Sequence, residues 1–172
     1  MTTPHRTADF LVIRTALAAE AVDVAALHLR ARSTYYPDGV PDDGTDWPAV
    51  WREAIARSDG RVLCAVRDGH LAGLASFRTP PNAPAGTVKL FQFHVDPGHW
   101  RTGTGTALHA ACAQEWRASG LHTAVLDVHI DNRRAQSFYD RLGWTPGPAH
   151  PAAPDDHHLY LRCAVPGNHP GE

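Results

Sequence analysis

The feature that most constrains this chain is the stretch Val95-Asp96-Pro97-Gly98-His99-Trp100-Arg101-Thr102-Gly103-Thr104-Gly105-Thr106-Ala107-Leu108. Residues 90–95 form an apolar, strand-like run that leads into it, and a helical pattern leaves it toward Ser119. Gly103 and Gly105, with Thr102, Thr104 and Thr106, therefore stand where a loop becomes a helix. The first N–H groups of a helix have no intrahelical partner, and the helix dipole adds partial positive charge there. A phosphate is the natural guest of such a terminus. Glycine lets the backbone approach that guest with no Cβ in between. The stretch predicts a phosphorylated cofactor.

Two other nucleotide motifs fit less well. A P-loop requires Lys followed by Ser or Thr after its last glycine, and Thr106-Ala107 stands there instead. A dinucleotide fingerprint requires three glycines in a βαβ unit with a downstream acid, and only Gly103 and Gly105 fall in register. The plain alternative is a glycine-rich surface turn.

The 172 residues fit one domain, expected over 1–165 with a disordered tail at 166–172. A chain of this length buries about 70% of its unfolded surface, so its core needs no disulfide. The net charge of −2 gives no reason to expect nucleic acid. Cys64, Cys112 and Cys163 are odd in number and form no Cys-x-x-Cys pair, which fits buried thiols in a reducing compartment. Residues 1–10 lack an apolar signal core, and Arg14, Glu20 and Asp23 interrupt the apolar stretch that follows. These features predict a cytoplasmic protein without a membrane span. Twelve histidines raise the question of a metal, but no His-x-x-x-His pair with a carboxylate partner lies on a helix. His157 and His158, adjacent in an expected strand, would point to opposite faces. No metal is expected.

Strand patterns occupy 10–14, 61–67, 70–79, 87–95, 122–130, a short stretch from Trp144, and 157–165. Helical patterns occupy 20–32, 48–57, 104–119 and 132–142, the last two closed by Gly120 and Gly143. Asp68-Gly69 marks a hairpin. Residues 33–47 and 146–154 read as loops. The order predicts an α+β fold around one sheet, with a right-handed crossover from the strand ending at Val95 to a parallel neighbour.

Two segments resemble the GNAT superfamily, the acetyl-CoA-dependent N-acetyltransferases. One is the glycine–threonine stretch, similar to that family's pyrophosphate-binding motif. The other is Leu126-Asp127-Val128-His129-Ile130-Asp131-Asn132 with Ala135, Phe138-Tyr139 and Leu142-Gly143-Trp144, similar to the family's next strand and helix. The resemblance implies a mixed, mostly antiparallel sheet of about seven strands, flanked by helices, whose splayed parallel pair holds acetyl-CoA. It implies that Phe93, His94, Val95, Arg101, Thr102, Gly103, Thr104, Gly105, Thr106, Asn132, Phe138 and Tyr139 contact that cofactor. Two positions depart from the family pattern. Trp100 stands where Gln or Arg is usual, and Lys89 stands where many members carry a glutamate that serves or positions the base.

Acetyl transfer to an amine needs a held thioester, a neutral amine, donors at the tetrahedral oxygen and a proton for the thiolate. Backbone N–H groups near His94 or Val95 are candidates for the oxygen. Tyr139, where the family places a tyrosine near the sulfur, is the candidate acid; a phenol of pKa about 10 donates without ionising at neutral pH. The plain alternative for Tyr139 is a core-edge aromatic. Asn132 can cap its helix or hold the cofactor arm. His94 is the candidate base, with His129 and Asp127 next. Strand alternation groups Leu90, Gln92 and His94 on one face and Lys89, Phe91 and Phe93 on the other, unless a bulge shifts the phase. Tyr35, Tyr36, Asp43 and Trp47, in a loop rich in aspartate, suit a cationic amine; the alternative is a solvated loop.

The expected activity is transfer of acetyl to a primary amine of a small molecule, and a homodimer is compatible with it. The rival readings are acetylation of a protein N-terminus or lysine, and a non-catalytic CoA-binding sensor.

Overall fold

A computed structural model describes residues 10–147 and 157–167. The elements run β1 (Leu11–Thr15), α1 (Ala21–Ser33), α2 (Trp47–Ala56), β2 (Gly60–Arg67), β3 (His70–Arg78), β4 (Thr87–Val95), α3 (Thr104–Ala118), β5 (Thr123–His129), α4 (Arg133–Arg141), β6 (Thr145–Pro146) and β7 (His158–Ala164). Local chemistry sets several of these limits. Asp46 caps α2 by accepting from the Ala49 N–H at 3.1 Å, and Asn132 caps α4 by accepting from the Ala135 N–H at 3.1 Å. The turn between β2 and β3 uses Asp68 at φ 51° and Gly69 at φ 81°, the pair of positive angles a two-residue hairpin requires.

The strands form one sheet in the order β1-β2-β3-β4-β5-β7-β6. Every pairing is antiparallel except β4 with β5. Side chains alternate between two cores. Leu63, Phe77, Leu90, Leu108, Trp116 and Leu126 pack between the sheet and α3, and Val24, Leu27, Trp51, Val62, Cys64 and Leu74 pack between the sheet and α1 with α2. Helices thus cover both faces of the sheet. No helix among the described residues is long and apolar enough to cross a membrane.

Two departures from regular pairing build the site. First, β4 and β5 pair only from Thr87 opposite Thr123 to Lys89 opposite Val125. Beyond Lys89 the strands separate, and one edge of β4 is left without a strand. Second, Phe77 lies opposite Leu90 while Ser76 lies opposite Gln92, so Phe91 is a bulge. The extra residue changes the phase of the strand. Leu90 and Phe93 share the α3 side, while Lys89, Gln92 and His94 share the α1 side. This corrects the grouping that simple alternation predicts, which put Leu90 with His94 and Lys89 with Phe93.

The structure also revises the histidine pair. His157 precedes β7 rather than lying in it, and the rings of His157 and His158 both reach His129, at 6.4 and 5.4 Å between centroids. Among the described residues no group of three His, Cys, Asp or Glu is placed to hold a metal. The expected signal-free segment at 1–9, most of the 146–154 loop and tail residues 168–172 lie outside the described residues.

Candidate active site

The gap between β4 and β5 opens into a cavity of about 520 Å³. Its floor is the end of β4. The Asp96 N–H donates to the Ala72 carbonyl on β3 at 2.8 Å. Backbone polar groups alternate sides along a strand, so those of His94 also face β3, and those of Phe93 and Val95 face the open gap. The Val95 carbonyl accepts from the Trp100 indole N–H at 3.2 Å, which leaves the Val95 N–H as an open donor. The geometry therefore selects Val95, not His94, as the backbone donor to the gap.

The loop after β4 ends in the N-terminus of α3. Arg101 and Gly103 take positive φ, 61° and 81°. The two motif glycines act differently. A Cβ on Gly103 would meet no atom within 4 Å, so its backbone angle is what requires glycine. At Gly105 a Cβ would lie 3.3 Å from the Phe138 ring and 3.4 Å from Val95, so close packing requires it. Behind the helix start, buried Arg67 reaches over from β2. Its Nη2 donates to the Thr104 hydroxyl and to the Thr102 carbonyl, both at 3.1 Å. A fixed cation thus stands behind the helix terminus. Arg101, Arg134 and Arg141 line the same cavity, with no Asp or Glu among its lining residues. Arg134 lies 3.5 Å over the Trp100 ring. Unpaired first-turn N–H groups and three arginines fit a polyphosphate, and the unpaired edge of β4 fits an amide-bearing arm added like a strand.

A second cavity of about 250 Å³ lies on the α1 side. His28, Arg32, Tyr35, Tyr36, Trp47, Lys89, Gln92, Asp127, His129 and His158 contribute to its wall. The two cavities share Tyr35, Phe93, His94, Asn132, Ala135 and Tyr139, and they meet there. Tyr139 is 5% exposed, and burial pushes its phenol well above the ordinary value, which keeps it protonated. His94 Nε2 lies 2.8 Å from the Gln92 side-chain oxygen, so Nε2 is the donor and Nδ1 the acceptor. Burial first, then the charges of His28 and Arg32, hold His94 well below the usual histidine range. His28, which accepts from the Trp51 indole N–H at 3.1 Å, is lowered to about 4 by burial. Both imidazoles are neutral near pH 7.

Of the residues expected at the cofactor, Phe93, His94, Val95, Arg101, Gly103, Thr104, Gly105, Thr106, Asn132, Phe138 and Tyr139 line the larger cavity. Thr102 does not; its hydroxyl lies 2.8 Å from that of Thr104 and donates to the His99 carbonyl, so it braces the loop. Of the expected acceptor residues, Tyr35, Tyr36 and Trp47 line the smaller cavity. Asp43 does not. It is fully exposed, and its carboxylate accepts from the Thr45 N–H at 3.0 Å. Asp42 likewise accepts from the Gly44 N–H, and Asp46 caps α2. Asp42, Asp43 and Asp46 thus fold the loop. His28, Arg32 and Gln92 in the smaller cavity, and Arg134 and Arg141 in the larger, were not expected at the site.

The fold and part of the sequence have known counterparts. The chain is 39% identical over 80 residues to a mycothiol acetyltransferase of Streptomyces avermitilis, a match covering 46% of this chain and 25% of that protein. It is 30% identical over 99 residues to a mycothiol acetyltransferase of Beutenbergia cavernae, covering 58% and 33%. The match thus spans a quarter to a third of the length of these curated relatives. The fold is similar to that of the PaiA N-acetyltransferase from Thermoplasma acidophilum, solved in complex with coenzyme A. That likeness has a TM-score of 0.73 at 16% identity and covers 90% of this chain and 99% of that one. It is also similar to the ribosomal-protein-S18-alanine N-acetyltransferase from Escherichia coli, with a TM-score of 0.72, 17% identity and coverage of 95% and 97%. Residues 23–144 match the acetyltransferase (GNAT) family, a span that holds most of α1, the β4–α3 loop, the splayed strands and Tyr139, and the chain belongs to that family.

Proposed function

We propose that this protein transfers acetyl from acetyl-CoA to the primary amine of a small molecule by direct attack. The observation that carries the reading is the meeting of the two cavities at Tyr139 and His94. One cavity offers phosphate donors and an open strand edge. The other is an aromatic- and histidine-lined pocket of small-molecule size.

In this reading the first-turn N–H groups of Thr104, Gly105 and Thr106, with Arg101, Arg134 and Arg141, bind the pyrophosphate. The open edge at Phe93 and Val95 pairs with the pantetheine amides. The Val95 N–H polarises the thioester carbonyl. The amine nitrogen forms a bond to the carbonyl carbon, the C–S bond breaks, and the Tyr139 hydroxyl gives its proton to the thiolate; the acylated nitrogen releases its extra proton to solvent, from which the Tyr139 phenolate is reprotonated. His94 Nδ1 accepts from the amine; because His94 is weakly basic, it serves as a neutral hydrogen-bond acceptor that orients an amine entering unprotonated. Juxtaposition of the two reactants supplies much of the rate.

The test is an amine panel with acetyl-CoA, following free thiol and N-acetylated product by mass spectrometry. Acceptor-dependent CoA release with matching product is expected. CoA binding without acceptor-dependent release for any amine would mark a binding protein instead.

A further inference from the structure

Among the described residues, the smaller cavity carries a cation, Arg32, with no carboxylate paired to it. Arg32, in the last turn of α1, sits 5.5 Å from the Tyr36 ring centre and 5.6 Å from that of Trp47. Two aromatic rings fix the guanidinium in place. Two residues earlier on the same helix, Arg30 is paired with Asp96 at 2.8 Å, and Arg14, Arg57 and Arg61 also have carboxylate partners. Arg32 has none among the described residues. Asp43, in the loop, feels the charge of Arg32 as the least of the influences on its carboxylate, which accepts from the Thr45 N–H and is exposed to solvent.

The remaining charges of the cavity do not balance it. Lys89 and Asp127 neutralise each other at 2.9 Å. Counting the histidines as neutral, Arg32 and Lys89 against Asp127 leave one net positive charge among the described lining residues. A ligand that is only a cation would meet an uncompensated guanidinium there. A ligand with one carboxylate would complete the site, since a guanidinium receives a carboxylate through two parallel N–H bonds.

Arg32 is also close to the reacting groups. The Trp47 ring under it lies 4.6 Å from His28, and His28 lies 4.7 Å from His94. Tyr35, three residues further along the chain, lines both cavities. A group bound by Arg32 therefore lies a short way from the junction where the amine must be.

We propose that Arg32 binds a carboxylate of the acceptor, so that the acceptor is an amino acid or a similar small molecule with amine and carboxylate a few bonds apart. This replaces the expectation of a purely cationic amine held by the loop's aspartates. It rests on the acetyl-transfer reading above and adds the specificity of that same pocket.

The experiment compares matched sets. For each of several side chains, the free amino acid, its carboxamide and its decarboxylated amine are offered with acetyl-CoA, and kcat/KM is measured from thiol release. The free acid is expected to exceed its carboxamide by about 10- to 100-fold, the scale of a charge-assisted, bidentate contact. In Arg32→Gln that ratio should fall toward one, and Arg32→Lys should restore part of it. The ratio within one protein is independent of how much of a variant is folded. Carboxamides or simple amines acetylated as well as the acids would overturn this inference and leave acetyl transfer standing, as would an unchanged ratio in Arg32→Gln. No transfer to any member of the sets would overturn this inference, and the amine panel then decides separately whether acetyl transfer stands.

Discussion

Lys89 Nζ lies 2.9 Å from Asp127 Oδ2, bridging β4 and β5 at the last point where the two strands are paired. Where the family resemblance leads one to expect a glutamate on β4, this chain has a lysine, and the carboxylate comes from the neighbouring strand instead. Both side chains keep some solvent contact, so the pair is worth no more than about 1 kcal/mol of stability. Its value lies in fixing charge at the edge of the acceptor cavity. Asp127→Asn should leave Lys89 uncompensated, lower the KM of a carboxylate-bearing acceptor several-fold and leave the acetyl-CoA KM nearly unchanged in steady-state kinetics. A rise in the acetyl-CoA KM alone would move Asp127 out of the acceptor site.

The two motif glycines should respond differently to substitution. Gly103→Ala keeps open space but forces an L-residue to φ 81°, at about 1–2 kcal/mol of strain. A denaturant melt should show that loss. Gly105→Asn and Gly105→Asp carry the same bulk against Phe138 and Val95, and only the second adds a negative charge beside the phosphate-binding N–H groups. By calorimetry Gly105→Asp should bind CoA about tenfold or more weaker than Gly105→Asn, and the gap should narrow as salt rises. Equal affinities would remove the phosphate from the start of α3.

Buried histidines make the fold acid-sensitive. His28 and His109 are each lowered by burial to about 4, from an ordinary value of 6.5. Between these values the unfolded chain binds protons that the folded chain excludes, so stability rises with pH from about 4 to 6.5 and is lost as pH falls through that window. Each histidine should cost about 2 kcal/mol between pH 7 and pH 5. His28→Gln, which retains an acceptor for the Trp51 indole, should show a smaller drop than the parent when urea unfolding is measured at both pH values. An identical drop in the two proteins would contradict the burial of His28 as a neutral ring.

Much of this fold was legible because it is written in local chemistry. Gly120 and Gly143, at φ 73° and 89°, end α3 and α4 where the sequence places them, and Asp68-Gly69 turns the hairpin. The cofactor loop was legible for the same reason: its residues are contiguous. The smaller cavity was not, because no single segment builds it. It forms where β4 leaves β5 and α1 crosses the gap, which brings Arg32 and His28 to Gln92 and Lys89. The bulge at Phe91 has no glycine or proline to announce it, yet it decides which side His94 faces. The loop aspartates did carry a readable signal. Asp42 two residues before Gly44, Asp43 two before Thr45, and Asp46 before Trp47-Pro48 are turn and cap positions, a local use that competes with ligand binding.

In the proposed reaction, acetyl crosses from one cavity to the other at Tyr139. The most direct measurement is single-turnover quench flow with saturating acetyl-CoA and the best acceptor from the panel, comparing the parent with Tyr139→Phe, alongside CoA binding by calorimetry. CoA affinity should be retained while the rate of product formation falls by about 10²-fold or more, the scale of a lost general acid. Equal single-turnover rates in the two proteins would contradict it.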